Sequence, residues 1–166
     1  VGERFPRISP RLNLDIQPIK WLKLGVSAYF SSEFTDPGEG LLNGVADQIP
    51  ITTPYDTAGN FLILPTADQT HKNPIRDEEL NTQEDKVYRY LGAYFAEITF
   101  TRGLKYRLNV SQDYRHATNG DYRDEMSSPI FPSTSWARWI QRKSYYYSVE
   151  NLLFYNREFG IHNIGL

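Results

Sequence analysis

The segment from Trp21 to Ser32 alternates between apolar and polar side chains along its whole length, which limits the possible folds more than any other feature. Successive side chains of a β-strand point to opposite faces, so this pattern predicts a strand with one apolar and one wet face. The strand is about twice as long as is usual in soluble proteins, and long enough to cross a bilayer at a tilt. Its apolar face carries Leu22, Leu24, Val26, Ala28 and Phe30, and its wet face Lys23, Ser27 and Tyr29.

Alternation of the same kind predicts further strands. They cover Ile8–Gln17, Val87–Thr101, Leu104–Arg115, Arg138–Tyr155 and a last segment that starts at Gly160. In Arg138–Tyr155 the phase stays open, because Tyr145, Tyr147, Val149, Leu153 and Tyr155 favour one face whereas Leu152 and Phe154 favour the other. A shift of one residue would exchange the two faces completely.

The connections between these segments alternate in length. Those at 18–20, 101–103 and 156–159 are short, whereas those at 33–86 and 117–137 are long. An up-and-down barrel of the bacterial outer membrane has this order, with short periplasmic turns and long extracellular loops. We therefore predict an all-β chain that forms part of a large antiparallel transmembrane β-barrel, with about six strands in three long hairpins. The apolar face of Trp21–Ser32 would then contact lipid.

Composition excludes several other classes of protein. The net charge of -2 and the scattered basic residues argue against nucleic-acid binding, and the chain contains no cysteine for disulfides or thiol catalysis. His71, His116 and His162 lie far apart in sequence and outside any catalytic motif. We therefore expect no enzymatic activity and no cofactor.

Several short motifs carry a resemblance to a known family. They are RISPRLNLDIQPIKWLKLG, PYDTAGN, HKNP, TRGLKYRLNVSQDY and VENLLFYNREFGIHNI, in this order along the chain. Together they resemble the barrel of SusC/RagA-type TonB-dependent outer-membrane transporters of the Bacteroidetes. The resemblance implies a 22-stranded barrel closed by an N-terminal plug, which imports glycans or peptides with a SusD-like surface lipoprotein as its partner and TonB acting through the N-terminal region.

On this interpretation residues 1–166 are part of the barrel domain of a transporter in the bacterial outer membrane, and the plug domain is absent from this chain. Six strands cannot close around a transport lumen. The alternative is a soluble β-sandwich that binds carbohydrate, in which apolar faces of the same kind would contact each other. Extraction would separate the two, because a sandwich should stay soluble without detergent.

The wet faces of the predicted strands supply the first set of candidate site residues. The polar side chains expected to face the lumen are Arg11, Asn13, Asp15, Lys23, Arg107, Asn109 and Asp113. Of these, Arg11, Asp15, Lys23, Arg107 and Asp113 are expected to form cross-strand ion pairs inside the barrel.

The two long loops supply the remaining candidates. Tyr55, Asp56, Asn60, Phe61 and His71 combine aromatic faces with amides and carboxylates, a mixture that suits binding of a substrate or partner as well as packing between loops. Asp121, Asp124 and Glu125 offer oxygen ligands of the type that calcium prefers, but a solvated turn is the favoured interpretation.

Overall fold

The structure is a computed structural model with two compact units. The structure describes residues 4–37, 46, 48–66, 73–101, 103–127 and 134–165. The first unit comprises residues within 1–7, 33–86 and 117–141, and the second comprises residues within 8–32, 87–116 and 142–166.

The described residues form one antiparallel sheet, and the helix among the elements is short, which confirms the all-β prediction. The elements are β1 (Arg7–Ile8), β2 (Arg11–Ile19), β3 (Leu22–Thr35), α1 (Pro74–Leu80), β4 (Thr82–Thr101), β5 (Leu104–Arg123), β6 (Trp136–Phe159) and β7 (His162–Gly165). The strand order is β1-β3-β4-β5-β6-β7, and β2 also pairs with β3. The three predicted hairpins are therefore β2–β3, β4–β5 and β6–β7.

The β2–β3 hairpin has a regular register up to its closed end. Asn13 lies opposite Ser27, but the register shifts between Ile16 and Ile19, and the turn lies at residues 20–21 instead of the predicted 18–20. Pro18 lies inside this irregular stretch. Because proline has no N–H to donate to the ladder, it is tolerated at such a bulge.

Both strands next to the second long connection extend further than their sequence predicts. β5 continues to Arg123 and β6 begins at Trp136, so Asp121 belongs to a strand and not to a loop. Within the first unit, the carboxylate of Asp121 forms an ion pair with Arg138 on β6, at 3.8 Å. Pairing with neighbouring strands holds these polar residues in extended conformation although their intrinsic β-propensity is low.

The first long connection contains a helix that we did not predict. Asn73 caps α1, its side chain accepting a hydrogen bond from the N–H of Arg76, and Pro74 occupies the first helical turn. The Asn-Pro pair is a recognised start signal for a helix. Earlier in the same connection, Phe61 forms an isolated β-bridge with Tyr55.

The long and the short connections belong to different units. Both long connections, at 36–81 and 124–135, belong to the first unit. The three short turns, at 20–21, 102–103 and 160–161, belong to the second. The predicted alternation of short and long connections is thus confirmed, with the boundaries corrected as above.

The sheet lacks an apolar core of its own. Among the described residues no hydrophobic side chain is buried, and large apolar side chains such as Leu12, Leu14 and Leu153 are at least half exposed. A β-sandwich needs a second sheet packed on the apolar face, and the described part of the chain provides none.

No helix in the described ranges is long and apolar enough to span a membrane.

Candidate functional site

The polar side chains of the second unit share one face of the sheet, which we call the polar face. Side-chain hydrogen bonds, ion pairs and ring contacts connect it across β2, β3, β4, β5 and β6. All seven residues predicted from alternation to face a lumen lie on it. They are Arg11, Asn13, Asp15, Lys23, Arg107, Asn109 and Asp113.

Two ion pairs connect neighbouring strands on the polar face. Arg89 donates two hydrogen bonds to the carboxylate of Asp113, at 3.1 Å from Nε and 2.7 Å from Nη2. Lys23 lies 3.4 Å from Asp15. The two-bond geometry of Arg89 fixes both side chains, whereas the lysine makes a looser contact.

A third group of charges extends across three strands. The carboxylate of Glu97 lies 3.5 Å from Lys105 Nζ and 4.0 Å from Arg107 Nη1. Arg107 Nε donates to Asn109 at 2.9 Å, and Asn109 donates in turn to Glu150 on β6 at 3.2 Å. The charges are therefore paired or hydrogen-bonded within a solvated, mixed-sign surface.

The predicted ion pairs form only in part. Of the five side chains involved, two pair with each other, whereas Asp113 and Arg107 pair with residues of β4 that were not among the candidates. The guanidinium of Arg11 lies over the ring of Tyr29 at 5.6 Å. The alternation of β4 already puts its charged residues on this face, so the missing partners were identifiable from the sequence.

The polar face contains two adjoining concave regions that share a row of small side chains. Their volumes are about 510 and 350 Å³, and both are lined by Ser27, Ala93, Ser111 and Ser148. The larger one also contacts Arg11, Tyr29 and Tyr146, and the smaller one Phe95 and Glu150. This surface offers hydroxyls, aromatic rings and paired charges, so it can form hydrogen bonds and stacking contacts with a polar ligand.

The opposite face of the second unit carries tyrosines connected by hydrogen bonds. Tyr90 and Tyr94 share a hydrogen bond between their hydroxyls, and Gln112 donates to Tyr94 at 3.2 Å. Tyr145 on β6 donates to Gln112 at 3.2 Å. We call this surface, formed by the even-numbered residues of β2–β5 and the odd-numbered residues of β6, the apolar face.

The structure also determines the phase of β6 that the sequence left open. Ser148 shares a 2.8 Å hydrogen bond with Ser111 on the polar face. Tyr145 contacts Tyr114, and Asn151 accepts a hydrogen bond from Tyr106, both on the apolar face. The odd-numbered residues of β6 therefore belong to the apolar face, as the first of the two interpretations held.

In the first unit, four of the five predicted loop residues come together in one tight turn. The rings of Tyr55 and Phe61 lie 5.0 Å apart. Asp56 accepts hydrogen bonds from the N–H groups of Ala58 and Asn60 at 2.9 and 2.8 Å, and from the Asn60 side chain at 3.1 Å.

The hydrogen bonds from Asn60 and its neighbours lower the pKa of the Asp56 carboxyl below its usual value. The carboxylate therefore stabilises the turn itself, and the aromatic pair provides the accessible contact area. His71 lies outside the described residues.

Asn73 holds this turn against helix α1. It is 1% exposed and donates from Nδ2 to the carbonyls of Pro54 and Leu62 at 2.9 and 2.8 Å. A concave region of about 420 Å³ adjoins it, lined mainly by proline and isoleucine side chains. The side chain of Asn73 thus joins the turn and helix α1 into one folded module.

The candidate calcium ligands are not arranged around a common point in the described part of the chain. Asp121 pairs with Arg123 at 3.2 Å, and Asp124 accepts hydrogen bonds from the Met126 N–H and the Tyr122 hydroxyl. Within the described ranges, no three carboxylate or histidine side chains, Glu125 included, form a group that could hold a metal ion.

Comparison with known proteins yields a likeness in fold but none in sequence. No protein-family model matches the chain, and no curated protein matches it in sequence. A chain from the solved structure described as the RagAB peptide importer in the "closed-closed" state is similar in fold, with a TM-score of 0.68 and 15% identity. The likeness covers 93% of this chain but only 18% of that chain. The fold is therefore that of part of a large antiparallel β-barrel.

Proposed function

We propose that this chain is part of the barrel of a TonB-dependent importer in the bacterial outer membrane. The fold likeness to a peptide importer, which covers 93% of this chain, is the observation that carries the proposal. The uncovered apolar face supports it, because a face of this kind needs lipid or another protein against it. In this arrangement the polar face lines a water-filled lumen.

The first unit supplies the extracellular part in this proposal. The Tyr55–Phe61 pair and the module fixed by Asn73 form a preordered surface for a SusD-like surface lipoprotein or for the imported molecule. Rigid aromatic side chains provide contact area at low entropic cost, which is a common property of binding surfaces. The proposed cargo is a peptide or an oligosaccharide, and TonB would act through the plug.

Fractionation of the native bacterium tests the location. The full-length protein should sediment with the outer membrane, resist extraction without detergent, and migrate differently on gels before and after heating. A protein released by a salt wash alone would contradict the proposal.

Uptake tests the transport function. A strain without the gene should lose uptake of either labelled peptides or labelled oligosaccharides, and the complemented strain should regain it. Replacing residues 50–66 by a Gly-Ser linker of equal length should reduce co-purification of the lipoprotein while the barrel still assembles. Unchanged uptake in the deletion strain would overturn the importer assignment.

A further inference from the structure

The apolar face has an unusual charge distribution. Along β2–β6 in the second unit, the described residues of this face include no carboxylate. Lys143 and Arg157, both on β6, are its two formally charged residues by strand alternation. The polar face of the same strands carries acids and bases in pairs, so the lack of acids belongs to this face alone.

The two basic residues are separated by a distance close to the thickness of a membrane. Position 157 lies fourteen residue steps after position 143, which at roughly 3.3 Å per residue corresponds to about 46 Å along the strand. With a strand tilt of roughly 40° this becomes about 35 Å along the membrane normal. A bilayer has a hydrocarbon core of about 30 Å and measures about 40 to 45 Å with its headgroups.

Tyrosine side chains lie next to Lys143 on the same face. The rings of Tyr145 and Tyr147 are stacked at 6.1 Å, and the ring of Tyr114 lies 6.5 Å from that of Tyr145. Tyr145 is 58% exposed and Tyr147 is 72% exposed. Tyrosine rings collect at the boundary between lipid and water, where the ring is apolar and the hydroxyl is hydrated.

From this arrangement we infer that Lys143, Tyr145 and Tyr147 bind the phosphate-bearing headgroup of an anionic lipid at one edge of the bilayer. Lys143 supplies the positive charge, and no described carboxylate competes for it. The Tyr147 hydroxyl donates a hydrogen bond to a phosphate oxygen, whereas the Tyr145 hydroxyl keeps its hydrogen bond to Gln112 and contributes its ring. Arg157 lies at the opposite headgroup layer. The inference rests on the proposed function, since it requires the apolar face to contact lipid.

Site-specific quenching by lipids tests the inference. A fluorophore attached to Tyr114→Cys, next to Tyr145, reports on the lipids around the cluster in the full-length protein freed of other cysteines. The protein is reconstituted in equal parts of phosphatidylcholine and phosphatidylglycerol, with one lipid brominated at a time. We expect brominated phosphatidylglycerol to quench about fivefold more effectively, because one basic residue near an anionic surface contributes about that factor.

The variants separate charge from structure. Lys143→Gln should bring the quenching ratio towards one, Lys143→Arg should keep it, and Lys105→Gln on the polar face should leave it unchanged. A ratio near one in the unmodified background, or an unchanged ratio in Lys143→Gln, would overturn the lipid site.

A second pair of labels distinguishes failure of the lipid site from failure of the proposed function. Brominated phosphatidylcholine should quench a label at Val149→Cys on the apolar face but not one at Ser148→Cys on the polar face. Equal quenching at both positions would contradict the membrane-spanning arrangement itself.

Discussion

The ring of Phe95 occupies the space in which Gly25 would carry a side chain. A Cβ atom on Gly25 would lie 2.0 Å from Cε1 of Phe95 and 2.6 Å from a carboxylate oxygen of Asp15. The same ring lies 4.1 Å from the Arg107 guanidinium and 5.4 Å from the Lys23 ammonium. Glycine at this position therefore allows an aromatic ring to lie on the polar face, where it contacts two cations.

Gly25→Ala should destabilise the protein by about 1 to 3 kcal/mol, because the added methyl group displaces the ring of Phe95. Gly165→Ala, where a Cβ would meet no atom within 4 Å, is the matched control and should change little. Denaturant unfolding of the reconstituted protein measures both. In a Phe95→Ala background, Gly25→Ala should cost clearly less, and simple additivity would contradict the contact.

The two ion pairs that connect neighbouring strands should differ in strength. Arg89 and Asp113 form a two-bond pair with 45% and 32% of their side chains exposed, whereas Lys23 and Asp15 meet at 3.4 Å and are 47% and 59% exposed. A double-mutant cycle should give a coupling of about 0.5 to 1 kcal/mol for the first pair and near zero for the second. Equal couplings would show that geometry does not determine the difference.

The two faces should respond oppositely to a new charge. Leu108→Arg puts a cation on the apolar face and should cost about 2 to 4 kcal/mol if that position lies near the bilayer midplane. Asn109→Arg, the adjacent residue on the polar face, should be tolerated. The amount of folded protein in the outer membrane and its unfolding midpoint measure the difference, and equal tolerance at both positions would contradict the assignment of faces.

Alternation was enough to predict the sheet and the composition of its polar face. Every residue predicted for that face lies on it, because a period of two fixes the side of each side chain once one contact is known. The phase of β6 escaped prediction because Leu152 and Phe154 favour the face opposite to that of Tyr145. Contacts with β5, such as the one between Ser148 and Ser111, decide it.

Strand ends and loop structure depend on tertiary contacts that local patterns do not contain. Trp139 packs against Gly120, where an added Cβ would lie 2.9 Å from the indole ring. Asn119 donates to Asp85 at 2.7 Å. These contacts between strands extend β5 past the point at which its apolar alternation ends. The roles of Asp56 and Asn60 in the turn were likewise not predicted, since their residue types suit ligand binding equally well.

Removing the side chain of Asn73 should loosen the module in the first unit. Asn73→Ala leaves the carbonyls of Pro54 and Leu62 without their donor and removes the cap of helix α1. Each loss costs on the order of 1 kcal/mol or more. We expect faster proteolysis within residues 48–66, measured on intact cells, with an unchanged unfolding midpoint for the barrel.

Glu79→Ala is the control for this variant, because Glu79 is exposed on the same helix. It should leave the cleavage rate unchanged. If Asn73→Ala and Glu79→Ala were cleaved at the same rate, the buried amide would not hold the module together.

The turn that carries the Tyr55–Phe61 pair should open in acid. Since hydrogen bonds from Asn60 and its neighbours lower the pKa of Asp56 in the folded turn, its stabilising effect is complete above the ordinary carboxyl pKa of 3.8 and is lost as the pH falls through the lowered value. Pepsin, which is active in this range, should therefore cut next to Phe61 increasingly as the pH is lowered, after correction for its own pH profile on an unstructured peptide. Asp56→Asn keeps an acceptor oxygen but cannot titrate, so its corrected cleavage rate should not depend on pH. An equal acid-induced increase in Asp56→Asn would show that another group opens the turn.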